Sequence, residues 1–113
     1  VFVNIELQAR FDEENNISIS EKLQAAGAAV AYGVPPMKTH CKLLLIESKD
    51  RAVAGLSTGN FNESTGRLYV DSLLLTADPR LTADVAKVFD FLAKTSRQRL
   101  VKPPKFRDLL VSP

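Results

Sequence analysis

His40 is the only histidine in 113 residues, and the run Lys38-Thr39-His40-Cys41-Lys42 sets it between two lysines, directly before the apolar stretch Leu43-Leu44-Leu45-Ile46. Strand side chains repeat every two residues, so the spacing predicts Lys38, His40 and Lys42 on one side, a nucleophile between two cations. Histidine is the side chain best able to present an uncharged ring nitrogen near neutral pH. The flanking ammonium groups favour that uncharged ring, leave its lone pair available for attack and draw in an anion. This chemistry suits a phosphoryl group. Downstream, the polar run Ser57-Thr58-Gly59-Asn60-Phe61-Asn62 offers hydroxyl, amide and glycine-freed backbone donors. Aimed at phosphate oxygens, they would supply the positioning and charge stabilisation that dominate phosphoryl transfer. Arg10 and Arg67 add planar, bidentate phosphate donors.

Which elements could bring these groups together? Val1, Val3, Ile5 and Leu7 alternate with Phe2, Asn4, Glu6 and Gln8, the pattern of a strand with one buried face. A helix is expected from Asp12 to Ala26, capped by Asp12 or by Ser18 with Glu21 at capping-box spacing, and ended by Gly27. Ala28 to Tyr32 reads as a short strand, and Gly33 to Pro36 breaks the chain. Cys41 to Glu47 and Arg51 to Leu56 read as an antiparallel hairpin about the turn Ser48-Lys49-Asp50. Pairing Glu47 with residue 51 or 52 brings residues 58 and 59 opposite His40. A further strand is expected over Leu68 to Leu75. Asp78-Pro79 can start a helix whose stripe Leu81, Val85, Val88, Phe89 and Leu92 faces a core. Residues 94 to 107 read as a basic, proline-containing linker. Leu43 to Ile46 are expected in the core, with Cys41 a small buried filler on the strand face opposite His40.

With 45% hydrophobic residues and a net charge of +2, the chain can build one modest core and is not basic enough to imply a nucleic-acid partner. One cysteine permits no internal disulfide, and no apolar stretch approaches the roughly 20 residues of a membrane span, so a cytoplasmic setting is expected. Val1 lies inside an apolar alternation, and Leu109 to Pro113 resemble the start of a new strand. The sequence therefore reads as part of a longer protein.

Blander readings stand beside these. A lone histidine is more often a structural or surface group. Asp12, Glu13 and Glu14 suit an acidic first turn better than a metal cluster. Lys94, Arg97, Arg99, Lys102, Lys105 and Arg107 could line a polyanion path or simply solvate a linker.

His40-x-Lys42 followed by Ser57-Thr58-x-Asn60 resembles the two halves of the phospholipase D superfamily motif. Its usual aspartate, seven residues after the histidine, is Glu47 here, which is given a supporting role. Longer strings are more specific. Glu6-Leu7-Gln8-Ala9-Arg10-Phe11-Asp12-Glu13-Glu14-Asn15, the His40 run, Thr58-Gly59-Asn60-Phe61-Asn62, Arg67-Leu68-Tyr69 and Leu74-Leu75-Thr76-Ala77-Asp78 together resemble the bacterial polyphosphate kinases. That resemblance implies an α/β fold, a phospholipase D-like mixed sheet flanked by helices and present as a partial domain. Residues 1–108 would belong to the first phospholipase D-like catalytic domain, and 109–113 would begin the next.

The activity implied is reversible transfer of the terminal phosphate of ATP to inorganic polyphosphate, with magnesium, through a phosphohistidine. By the same match His40 is the nucleophile, assisted by Lys42 and Asn60. Tyr69, with Arg67, Thr58 and Asn62, would contact ATP, and Arg10 would make the magnesium-phosphate contact. Since an arginine cannot ligate a cation, Arg10 would grip the phosphate that carries the metal. The implied partners are ATP or ADP, polyphosphate, the kinase's remaining domains and further copies in a homo-oligomer, and the chain alone is expected to be inactive. Departures from the family pattern, Cys41 and Gly66 in place of alanines and a short turn at Lys49, remove no chemical group. The alternatives are a phospholipase D-type phosphodiesterase half-domain and a non-catalytic polyanion-binding module.

Overall fold

The alternating run at the start of the chain forms β1 (Phe2–Ile5), which leads through α1 (Glu13–Ala25) to β2 (Ala29–Tyr32). β1 and β2 pair in parallel, from Phe2 with Ala29 to Ile5 with Tyr32. A parallel pair needs a crossover, and the helix supplies it in a βαβ unit. The computed structural model describes residues 1–6, 13–34, 38–95 and 102–111. They fall into two units, Val1–His40 with Asp90–Pro103, and Cys41–Phe89 with Pro104–Pro113.

In the first unit Glu13 and Glu14 occupy the opening turn of α1, where the helix dipole favours carboxylates. Ser18 lies inside this helix, so the expected capping box with Glu21 does not start it. Asp12, the other expected cap, is outside the described residues. Gly27, at φ 85°, closes the helix. Its amide donates to Gln24 O at 2.9 Å and that of Ala28 to Leu23 O at 3.0 Å, the two bonds of a Schellman motif. The phenol of Tyr32 donates to Ser20 Oγ at 2.8 Å, and that buried hydroxyl donates to Ile17 O at 2.7 Å. A buried polar group thus keeps its partners where α1 meets β2. Among the described residues of this unit, Ala31, Val34 and Leu92 are the buried hydrophobic ones.

The second unit holds an antiparallel sheet in the order β3 (Lys42–Glu47), β4 (Ala52–Ser57), β5 (Leu73–Thr76). The hairpin has the expected register: Glu47 pairs with Ala52 and Lys42 with Ser57. Its turn is closed by the amide of Ser48 on Arg51 O at 2.8 Å. Where the resemblance implies a mixed sheet, the described residues carry parallel and antiparallel pairing in two separate sheets. Periodicity specifies each strand and its turn-linked partner, but not the pairing of strands distant in sequence.

Three other expectations are corrected. The strand expected over Leu68 to Leu75 is divided, with α2 (Glu63–Leu68) first and only Leu73–Thr76 forming a strand. Leu44 and Ile46 are exposed, while Leu43 and Leu45, on the alternate face, are half-buried. An apolar strand read as wholly core is therefore covered on one side only. Cys41 is exposed rather than buried, because the strand begins one residue after it and strand alternation does not govern its side chain.

Asp78-Pro79 does begin the last helix, α3 (Pro79–Thr95). The carboxylate of Asp78 accepts the amide of Arg80 at 2.9 Å and the guanidinium of Arg80 at 2.8 Å. These contacts, the side-chain bond first, lower its pKa to about 2. The expected stripe is inward: Val85 and Leu92 are buried, and Leu81, Val88 and Phe89 are half-buried. Val85 and Ala54, both fully buried, are core residues of the second unit.

Candidate functional site

His40 is exposed, and no strand holds it: residues 38–41 have no regular structure, and β3 starts at Lys42. Strand periodicity therefore does not set the relation of Lys38, His40 and Lys42, contrary to expectation. The segment is secured within the first unit by another group, since the backbone amide of Thr39 donates to the Glu6 carboxylate at 2.6 Å.

In the second unit the hairpin register places Lys42, half-buried, opposite Ser57, the residue that opens the polar corner. The corner has its own scaffold. Ser57 Oγ accepts the amide of Gly59 at 3.1 Å. Thr58 Oγ1 donates to Asp71 Oδ1 at 2.8 Å and accepts the amide of Ser72 at 3.0 Å, while the Thr58 amide donates to Ser72 O at 3.1 Å. Thr58 is thus tied to the approach to β5. Gly59 is buried beneath Asp71: a Cβ there would lie 2.9 Å from Asp71 Cβ and closer still to its carboxylate. Glycine is required at this position by close approach, since its φ is not positive.

Asn60 is exposed at the tip of the corner, with its backbone oxygen accepting the amide of Asn62 at 2.8 Å. Asn62 is the N-cap of α2, and its Oδ1 accepts the amide of Thr65 at 2.8 Å and the hydroxyl of Ser64 at 2.9 Å. Arg67 lies on this helix and pairs with Glu63 one turn earlier, both side chains open to solvent. Tyr69 follows as the C-cap residue, 69% exposed, its amide donating to Thr65 O at 3.0 Å. The corner and α2 therefore bring Thr58, Gly59, Asn60 and Asn62 into one continuous, hydrogen-bonded stretch, with Arg67 and Tyr69 directly after it. Arg10 lies outside the described residues. Glu47, given a supporting role, ends β3 and is exposed.

Two carboxylates that the sequence did not single out organise this unit. Asp71 holds the corner as described. Asp84, buried on α3, accepts the amides of Arg107, Asp108 and Leu109 at 2.8, 2.7 and 3.2 Å, and the ammonium of Lys87 at 2.7 Å. The Asp108 amide above all, then Lys87, holds its carboxyl far below the usual carboxylate range. Neither role has a local sequence signature, because each partner is remote in the chain. Of the basic linker, Lys102, Lys105 and Arg107 are exposed, whereas Arg97 and Arg99 lie outside the described residues.

A βαβ unit together with an antiparallel sheet that carries a polar, hydrogen-bonded corner defines a small α/β protein. Residues 1–98 match the family model described as polyphosphate kinase C-terminal domain 1, and the chain belongs to that family. It is 50% identical over 117 aligned residues to a polyphosphate kinase of Vibrio vulnificus (strain YJ016), covering 100% of this chain and 16% of the relative. To the polyphosphate kinase of Escherichia coli (strain K12) it is 47% identical with the same coverage. The crystal structure of polyphosphate kinase from Porphyromonas gingivalis superposes with a TM-score of 0.68 at 39% identity, over 95% of this chain and 18% of that one. The chain thus spans about one sixth of the length of the curated relatives it matches.

Proposed function

We propose that this chain is part of the catalytic apparatus of a polyphosphate kinase, which reversibly transfers the terminal phosphate of ATP to inorganic polyphosphate through His40. A neutral ring nitrogen attacks the γ-phosphorus in line. A P–N bond forms as the bond to the bridging oxygen breaks, and ADP leaves with the electron pair. A terminal oxygen of polyphosphate then attacks the phosphoramidate, the P–N bond breaks, and the chain emerges one unit longer. Lys42, Asn60 and Thr58 neutralise and orient the transferring group, Arg10 grips a phosphate, and Tyr69, with Arg67 and Asn62, contacts the nucleotide.

The observation that supports this reading most is the register of β3 on β4. Lys42, two residues after an exposed His40, stands opposite the serine that opens the Thr58-Gly59-Asn60 corner. Among the described residues no group of three or more His, Cys, Asp or Glu side chains could hold a metal ion. In this reading magnesium would be held through substrate phosphates and water, its usual mode in kinases, and would supply charge neutralisation for the transferring group.

In this reading residues 1–108 belong to a phospholipase D-like domain and 109–113 begin the next, so Asp84 would anchor the junction. The remaining domains, and further copies in a cytoplasmic homo-oligomer, complete the enzyme, and the 113-residue chain alone folds without turning over. Among the described residues no helix is long and apolar enough to cross a membrane.

The test is transfer of label from the terminal phosphate of ATP to the full-length kinase that contains this chain, with retention in wild type and loss in His40→Ala. Cleavage of a phosphodiester without ATP would favour a phospholipase D-type enzyme instead. Salt-sensitive polyphosphate binding without any labelling would favour a binding module. ATP-driven turnover by the 113-residue chain alone would refute the claim that it is incomplete.

A further inference from the structure

We infer that Glu6 is a positioning residue for His40, acting through the backbone and not by touching the transferred phosphate. The inference rests on His40 being the phosphorylated group. Glu6 directly follows β1, and its carboxylate reaches across 33 positions of sequence to accept the amide of Thr39, the residue before His40, at 2.6 Å. The irregular segment 38–41 has no strand ladder of its own. The Glu6 carboxylate is therefore an acceptor from outside the segment that helps fix its path.

The surroundings of Glu6 are arranged to hold that carboxylate. Its own backbone oxygen accepts Asn16 Nδ2 of α1 at 3.0 Å, tying the residue to the helix. The amide of Gly33 donates to Ile5 O at 2.9 Å, next to Glu6. Gly33 adopts φ 49°, and a Cβ there would lie 3.4 and 3.5 Å from the two carboxylate oxygens. The glycine thus permits a backbone conformation that other residues enter with strain, directly beside the carboxylate. Helix α1 thus holds the Glu6 backbone, while the Gly33 turn and the Thr39 amide adjoin its carboxylate, all within the first unit.

The test separates reach from charge. Glu6→Gln keeps an acceptor oxygen at the same reach and loses the charge, whereas Glu6→Asp keeps the charge and withdraws it by one methylene. In the full-length kinase at saturating ATP, rapid-quench measurement gives both the rate and the final stoichiometry of phosphate on His40. Because small misplacements of reacting groups are costly, Glu6→Asp and Glu6→Ala are expected to slow phosphorylation at least about tenfold at unchanged stoichiometry, with Glu6→Gln within about threefold of wild type. Exchange of the Thr39 amide should quicken in the Asp and Ala variants only.

An unchanged rate in Glu6→Asp would overturn the inference, as would a Gln variant as slow as the Asp variant. Lower stoichiometry with a normal rate at the surviving sites would assign Glu6 to stability alone. Should Glu6→Ala not fold, the Gln and Asp pair decides. Wild type without phosphate on His40 would instead remove the functional reading itself, and the inference with it.

Discussion

Replacing Gly59 by alanine probes the corner beside Lys42 where its construction is tightest. The new methyl would overlap the Asp71 carboxylate and stand 2.9 Å from Asp71 Cβ. Rotating Asp71 about χ1 moves the carboxylate away but leaves Cβ in place, so the backbone must shift as well. Overpacking of this kind costs about 1–3 kcal/mol. Swinging the carboxylate away also breaks its 2.8 Å bond with Thr58, adding about 0.5–1.5 kcal/mol. Gly59→Ala should then destabilise the chain by about 2 kcal/mol, read as the shift of the urea midpoint at constant slope.

Two further backgrounds take the effect apart. With Asp71→Ala the hydrogen bond is already gone and only the Cβ overlap remains, so the cost of Gly59→Ala should fall to roughly 1 kcal/mol. With Asp71→Gly the overlap vanishes. Because Gly59 is not held at positive φ, alanine there should then stabilise by about 0.4–1 kcal/mol through the unfolded chain. An equal cost in all three backgrounds would refute the argument, since it would mean that Asp71 is not what the methyl meets.

Asp84→Ala is expected to lower the thermal midpoint by releasing residues 107–109. Because its folded-state pKa is depressed below the ordinary 3.8, the Asp84 contribution is full above that value and is lost as the pH falls through the folded-state pKa. The wild-type advantage over the variant should accordingly be constant from pH 7 to 5 and shrink in stronger acid; an advantage that grows on acidification would contradict the assignment. Asn62→Ala should cost about 1 kcal/mol through loss of the α2 cap, and Asn62→Ser should restore most of it, measured by urea unfolding.

How much of this was legible in the sequence depends on how local each signal is. The strands and helix of the first unit taken one by one, the register of Lys42 on Ser57 and the start of α3 at Asp78-Pro79 follow from alternation, turn residues and capping, all written within a few positions, whereas the parallel pairing of β1 with β2 does not. α2 was missed although Asn62, Glu63 and Arg67 give a cap, an acidic first turn and an ion-pair spacing; the six-residue length and Gly66 weaken any periodic signal. Exposure of Leu44 and Ile46 was not legible, because composition says that a strand is apolar and not which face is covered. The anchoring carboxylates were hidden for a different reason. Glu6, Asp71 and Asp84 reach partners 33, 13 and up to 25 positions away, and such contacts exist only once the chain has folded.

The proposed chemistry depends most directly on which side chain carries the phosphate. Brief exposure of the full-length kinase to ATP, followed by digestion under alkaline conditions and mass spectrometry, reads that position. The proposed chemistry predicts a phosphate on the peptide containing His40 that disappears when polyphosphate is added as acceptor. An unmodified His40 peptide beside a phosphorylated one elsewhere in the kinase would contradict it.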